Sequence, residues 1–351
     1  MLNRRYFIRN ISFAAASSAL LGACSESAAS QDKNKGAGLS DKARNAMLAM
    51  QRASWEQGTA IQAMIECADY DMLRLMVNEA ILRQSRDGRT CMLGSDHNVT
   101  DPVAAGYGLI KAYELFKEEK YKNAADKLYD YCKNKAPKDE NGTLYHLNDS
   151  KQLWSDSIYM LPPFLAAYKD YDECIKQFRG YRTRLWNPNK HLYSHRWSDD
   201  TNRFLTENCW GGGNGWAAAA FAIVYELLPE NQKEYKAEVA SFLTELLDGL
   251  IANMRPDGLF HNIVDHPESF VETNLSQMAA FAIFKAVKIG AINTSYLSAA
   301  EQMKKGALSK VDEFGYVQDA CGSPTFSSPG TSTEAQAFLL MMLAAEKQLK
   351  S

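Results

Sequence analysis

What most limits the fold of this chain is a period made of two unlike parts. From Leu39 onward the sequence reads as helices taken in pairs. Turns inside a pair are short, and connections between pairs are long and rich in Gly, Trp, His, Asn and Asp. Two-residue alternation, the mark of a half-buried strand, is nowhere sustained. Helical stretches run over residues 41–66 and 71–86, 102–116 and 121–134, 153–169 and 171–178, 215–228 and 232–253, and 272–289 and 294–305, with a last one over 333–348. Within 232–253, Phe242, Leu243, Leu246, Leu247 and Leu250 follow the 3.6-residue turn. The first helices of successive pairs start near Trp55, Asp101, Leu153, Asn214, Glu272 and Ser332, at spacings of 46 to 61 residues.

Six such units predict an all-α domain over residues 39–351, an (α/α)6 barrel of six helical hairpins with six parallel helices inside and their partners outside. An open helical solenoid is the competing arrangement, because only one helix is evident in the last hairpin. In a closed ring every long loop gathers over the N-termini of the inner helices. Free N–H groups and a partial positive charge there favour anionic ligands.

Charge and composition narrow the function. The 351 residues carry 39 Lys and Arg against 42 Asp and Glu, a formal net charge of −3, which argues against a nucleic-acid partner. Hydrophobic residues make up 46% and charged residues 23%, so a disordered chain is excluded. Residues 1–23 read as an export signal: a basic Asn3-Arg4-Arg5-Tyr6-Phe7-Ile8-Arg9 run, then an apolar stretch too short to span a bilayer. Leu21-Gly22-Ala23-Cys24 resembles a bacterial lipobox, which makes Cys24 the expected lipid attachment point and residues 24–38 a flexible tether. The Arg4-Arg5 pair leaves export by the general or the twin-arginine route open. The expectation is a lipoprotein of the bacterial cell envelope that meets the membrane only through its anchor. The six other cysteines lack metal-ligand spacing and read as buried thiols, and the six histidines show no H-E-x-x-H, so no metal is expected.

Four loop segments carry the chemistry. Val99-Thr100-Asp101-Pro102 opens the second inner helix. Tyr145-His146 precedes Leu153-Trp154-Ser155-Asp156-Ser157. His195-Arg196-Trp197 leads through Glu207-Asn208 to Trp210-Gly211-Gly212-Gly213-Asn214-Gly215-Trp216, and Asp257-Gly258-Leu259-Phe260-His261 leads to Glu272-Thr273-Asn274. Each has a plain structural explanation. Asp101 before Pro102 is what an ordinary helix start looks like, Asp156 complements a helix dipole, and the glycines permit a tight turn. Ring closure adds the coincidence: it brings Asp101 and Asp156 to one end, beside Trp154, Trp210, Trp216 and His195. Paired carboxyls among aromatic platforms suit sugar chemistry. Two carboxyls in contact split their pKa values, which leaves one protonated.

At these residues the chain resembles the six-hairpin glycosidases of glycoside hydrolase families 88 and 105, the unsaturated glucuronyl and rhamnogalacturonyl hydrolases. The likeness rests on Leu153-Trp154-Ser155-Asp156-Ser157-Ile158-Tyr159-Met160, on Trp210-Gly-x-Gly-Asn-Gly-Trp216, and on the Glu272-Thr273 helix start. It implies that Asp156 is the general acid and Asp101 a second essential aspartate, and that His146 and His195 are pocket histidines. Trp55, Trp154, Trp210, Asn214, Trp216 and Glu272 complete the expected oligosaccharide-binding set. The implied reaction removes a 4,5-unsaturated uronic acid from the non-reducing end by hydration of its vinyl ether, with no cofactor, in a monomer. Gly212 departs from the family's usual arginine, the natural fork for a uronate. The departure leaves room for a hydrolase of a saturated uronide or neutral glycoside. A non-catalytic oligosaccharide-binding lipoprotein is the reading from a different class.

Overall fold

The computed structural model describes residues 38–92, 97–322 and 325–351; Cys24, the export signal and nearly all of the tether lie outside these. The expected inner helices are α2 (Ser54–Glu66), α4 (Gly106–Phe116), α6 (Ser157–Met160) with α7 (Pro162–Tyr168), α9 (Gly211–Leu227), α11 (Asn274–Lys288) and α13 (Thr333–Leu349). Five outer helices follow their partners: α3 (Tyr70–Leu82), α5 (Glu119–Asp130), α8 (Tyr171–Leu185), α10 (Lys233–Ala252) and α12 (Leu297–Leu308). The sixth outer helix comes from the other end of the domain. It is α1 (Leu39–Met50), which packs on α13. The stretch that reads as one helix over 41–66 breaks at Gln51-Arg52-Ala53. Ala53 is extended, and the Glu56 carboxylate turns back to accept from the backbone N–H groups of Arg52 and Ala53.

The ring closes. α2 packs on α4, α4 on α7, α7 on α9, α9 on α11, α11 on α13, and α13 back on α2. The burial pattern follows from this order. From Gly211 to Val224 every residue of α9 is buried, as is every residue of α11 from Asn274 to Ala286. A helix apolar all round belongs in a core. Outer helices bury one face: on α1 it is Ala43, Ala46 and Met47, at the i, i+3, i+4 spacing that meets one neighbour. Burying Met47 alone contributes about 1.5–3 kcal/mol to closing the last hairpin. Ala and Gly at the inner positions let the six axes approach closely.

Three details differ from the sequence reading. The third inner helix does not run unbroken from residue 153: it is split at Leu161, before Pro162-Pro163, because a proline lacks the N–H that would continue α6. The long connections hold short strands, two to four residues each, too brief to show a period. β1 (Gln152–Trp154), β4 (Arg196–Ser198) and β5 (Arg203–Thr206) form an antiparallel sheet in the order β1-β4-β5; β2 (Trp186–Asn187) pairs with β3 (Leu192–Tyr193), and β6 (Phe260–His261) with β7 (Val271–Glu272). All six cysteines of the described residues are unpaired, and five are buried.

Where the inner helices end, Lys285 of α11 lies 3.0 Å from a Glu66 oxygen of α2 and 2.6 Å from Glu226 of α9. One buried ammonium thus ties three inner helices together at the end away from the long loops.

Candidate active site

The long loops and the N-termini of the inner helices enclose a cavity of about 520 Å³. Asp101 and Asp156 both reach it. Asp101 opens a single 3-10 turn, Asp101–Val103, and Asp156 sits just before α6. Neither turn is closed by a side-chain cap. Capping, the plain explanation for Asp101, does not describe it, and Asp156, which sits where it would complement the dipole of α6, also lines the cavity.

The two acids have unlike neighbours. Asp101 is 5% exposed and accepts one hydrogen bond, from Asn98 Nδ2 to its Oδ2 (2.6 Å). His146 Nε2 stands 3.8 Å from its Oδ1. That imidazole is neutral: burial pulls its pKa down to about 4, and its Nδ1 is engaged by the hydroxyls of Thr100 (3.0 Å) and Ser157 (3.1 Å). Burial, with the charges of Asp156 and Glu334, therefore raises Asp101 well above the usual carboxyl range. Burial pushes Asp156 upward too, but His195 Nε2, 3.3 Å from its Oδ2, outweighs it and holds Asp156 below its ordinary value. Within the pair, Asp101 is thus the acid that holds a proton more tightly and Asp156 the one that ionises more readily, whereas the resemblance gives the donor's part to Asp156.

Aromatic rings line this pair. Trp154 stacks on His146 (centroids 4.2 Å apart, planes within 10°) and meets His195 edge-on at 5.7 Å. His195 in turn lies 4.7 Å from Trp210, whose Nε1 donates to Asn262 Oδ1 (3.2 Å). Trp216 lies deeper, against Tyr159 and Phe338, and still lines the cavity. Trp55 lines it as well, donating its Nε1–H to Glu334.

Two expected binding residues have other employment. Asn214 does not line the cavity; fully buried, it accepts from Tyr193 N (2.7 Å) and donates to the carbonyls of Tyr193 (3.0 Å) and Trp210 (2.9 Å), so it fixes the loop before α9. Glu272 borders the cavity, but its carboxylate is held by the N–H groups of Asn274 (2.9 Å), Leu275 (2.8 Å) and Cys321 (3.0 Å). It braces the start of α11 against the 321 loop.

Sequence reasoning missed two charged residues of the lining. Glu334, in the first turn of α13, is 4% exposed; burial and the charge of Glu56 push it up to about 7, and its Oε2 has no partner among the described residues. The helix period that placed Ser332 was the signal for it. Arg196 stands beside His195 in the chain, and the β1-β4-β5 sheet turns it toward the cavity. Among the described residues no three His, Cys, Asp or Glu side chains converge to hold a metal ion.

A closed ring of six hairpins with a carboxylate-bearing, indole-walled cavity at its loop end is the form of a six-hairpin glycosidase. Residues 30–348 match the family described as Glycosyl Hydrolase Family 88, and the chain belongs to that family. It is similar to the unsaturated rhamnogalacturonyl hydrolase YesR of Bacillus subtilis (strain 168), with 26% identity over 228 residues; the match takes in 61% of this chain and 64% of that protein. Among solved structures, a possible member of the GH105 family from Salmonella enterica has a TM-score of 0.77 at 18% identity, covering 88% of this chain and 92% of the other. An unsaturated glucuronyl hydrolase specific for heparin has a TM-score of 0.62 at 14% identity, covering 90% and 88%. These likenesses are of fold.

Proposed function

We propose that the chain is a glycoside hydrolase that releases a 4,5-unsaturated uronic acid from the non-reducing end of lyase-generated oligosaccharides. The observation that carries this reading is the aspartate pair: two carboxyls in one indole-walled cavity, Asp101 buried and Asp156 partly so, making no helix-cap hydrogen bond and shifted in opposite directions. The family, and the unsaturated-sugar hydrolases among its relatives, support the same substrate class.

The pair works as one unit holding one proton. That proton goes to C4 of the vinyl ether, and water adds at C5. The carboxylate of the pair takes the proton that the water gives up, so the pair ends with one proton, as it began. The hemiketal opens by breaking the bond between C5 and the ring oxygen, which gives a ketone at C5 and leaves that oxygen on C1 as a hydroxyl; the hemiacetal at C1 then collapses to an aldehyde and releases the rest of the oligosaccharide as an alcohol. Trp154 and Trp210 offer flat faces to the sugar ring, and His195 steadies the charged carboxyl.

Turnover of a lyase digest in deuterium oxide tests the reaction. The expected result is loss of the unsaturated-uronide absorbance, with one deuterium at C4 of the released sugar. No absorbance loss on pectin, ulvan or glycosaminoglycan digests overturns the proposal. Release of a saturated sugar without carbon-bound deuterium favours the ordinary-glycoside alternative. The lipobox-like Leu21-Gly22-Ala23-Cys24 supports an anchored enzyme of the cell envelope. Labelled fatty acid incorporated by the wild type and not by Cys24→Ser is the expected outcome.

A further inference from the structure

We infer that Arg196 binds the carboxylate of the sugar that is released, standing in for the arginine that position 212 lacks. The assignment rests on the proposed uronide substrate. Among the described residues four carboxyl side chains line the cavity (Asp101, Asp156, Glu272 and Glu334), and an anionic sugar entering there needs a cation. Arg196 is the only Lys or Arg in the lining among the described residues.

Among the described residues no carboxylate pairs with it. Nε and Nη2 both donate to the Thr206 hydroxyl, at 3.1 and 2.8 Å, so its fixed partner is neutral. The guanidinium carbon lies 5.2 Å from the ring centre of Trp154, the indole that also stacks on His146. Sheet register sets this arrangement, since Trp154 pairs with Arg196 and Arg196 with Thr206 across three neighbouring strands. A guanidinium presents five N–H donors. With Thr206 taking two, the remaining edge of Nη1 and Nη2 is a fork of the width a carboxylate fits.

The alternative seat for a cation is closed. A Cβ on Gly212 would lie 2.4 Å from Cζ2 of the Trp210 ring, which Asn262 and His195 hold in place. A side chain at 212 and this position of Trp210 exclude one another.

The test compares an unsaturated uronyl disaccharide with its methyl ester, which keeps the vinyl ether and removes the charge. Wild type should favour the acid. In Arg196→Gln, KM for the acid should rise about 10- to 100-fold with kcat little changed, KM for the ester should stay put, and preference for the acid should vanish. Arg196→Lys, which keeps the charge without the fork, should fall between. Equal damage to acid and ester, or an unchanged KM for the acid, overturns the assignment. Should wild type turn over neither compound, the proposed reaction fails while Arg196 remains decidable. Quenching of tryptophan fluorescence by free uronate against its methyl ester then serves as the readout. Weaker binding of the acid alone in Arg196→Gln supports the assignment, and no difference between the compounds overturns it.

Discussion

The barrel handles buried charge in opposite ways at its two ends. Where the inner helices finish, burial works against the charge on Lys285, but Glu66 and Glu226 outweigh it and hold the ammonium charged. Where the inner helices begin, one oxygen of Asp156 and one of Glu334 are buried without a hydrogen-bond partner, and Arg196 meets a hydroxyl and an indole but no carboxylate, among the described residues. Unmatched polar groups of this kind cost a fold stability. A chain able to match its charges at one end and leaving them unmatched at the other is reserving the second end for a ligand.

The largest expected break in this contrast is at the aspartates. Asp156→Asn and Asp101→Asn should each lower kcat by roughly 10²- to 10⁴-fold, while the urea midpoint of unfolding stays at or above wild type. A large fall in the midpoint would mean that these acids hold the fold, as the closed end's do. Next is Lys285→Met, which strands Glu66 in the interior and should cost about 3–5 kcal/mol by urea titration, with KM unchanged in the folded enzyme. Replacing Glu66 by Gln in the same chain should recover part of that loss.

A smaller, pH-bound effect is expected at Glu334, which Glu56 and Asp101 face. Its pKa is raised in the folded state, to about 7, against about 4.3 for an unperturbed Glu. The folded protein therefore binds the proton more tightly, and stability falls as pH rises from the unfolded value through the folded one. Subtracting the Glu334→Gln curve from the wild-type curve should isolate that decline. It should be absent below about pH 4 and be complete by about pH 8, on the order of 3 kcal/mol. A flat difference would show that Glu334 shares its charge with a partner. The smallest effect belongs to a pair at neither end: Arg74→Ala, which removes the exposed contact with Glu118, should leave the urea midpoint of unfolding close to that of the wild type.

Much of the fold is legible in the chain because helix periods and turn residues are local. The spacing of 46 to 61 residues from Trp55 to Ser332 suffices to count six inner helices and to gather their loops at one end. The partner of the last helix is not legible in this way. Nothing near Thr333 announces it, since α1 comes from the far end of the domain and is joined to α2 by only three residues. The short strands are hidden for a related reason: two to four residues carry too little period to register, yet their pairing is what sets Arg196 beside Trp154.

The site divides along the same line. Its residue types were written in the sequence: Asp101, Trp154, Asp156, His195, Trp210 and the glycine run are adjacent in short motifs, and motif chemistry needs no third dimension. Their division of labour was decided only by tertiary structure. Asn214 and Glu272, equally prominent in the motifs, hold backbone; Arg196, present in a motif but given no role there, and Glu334, which no motif marked, face the cavity. Which aspartate holds a proton more tightly follows from burial and from the distance to an imidazole more than thirty residues away. Those quantities belong to neighbours in space, and the order of residues along the chain does not contain them.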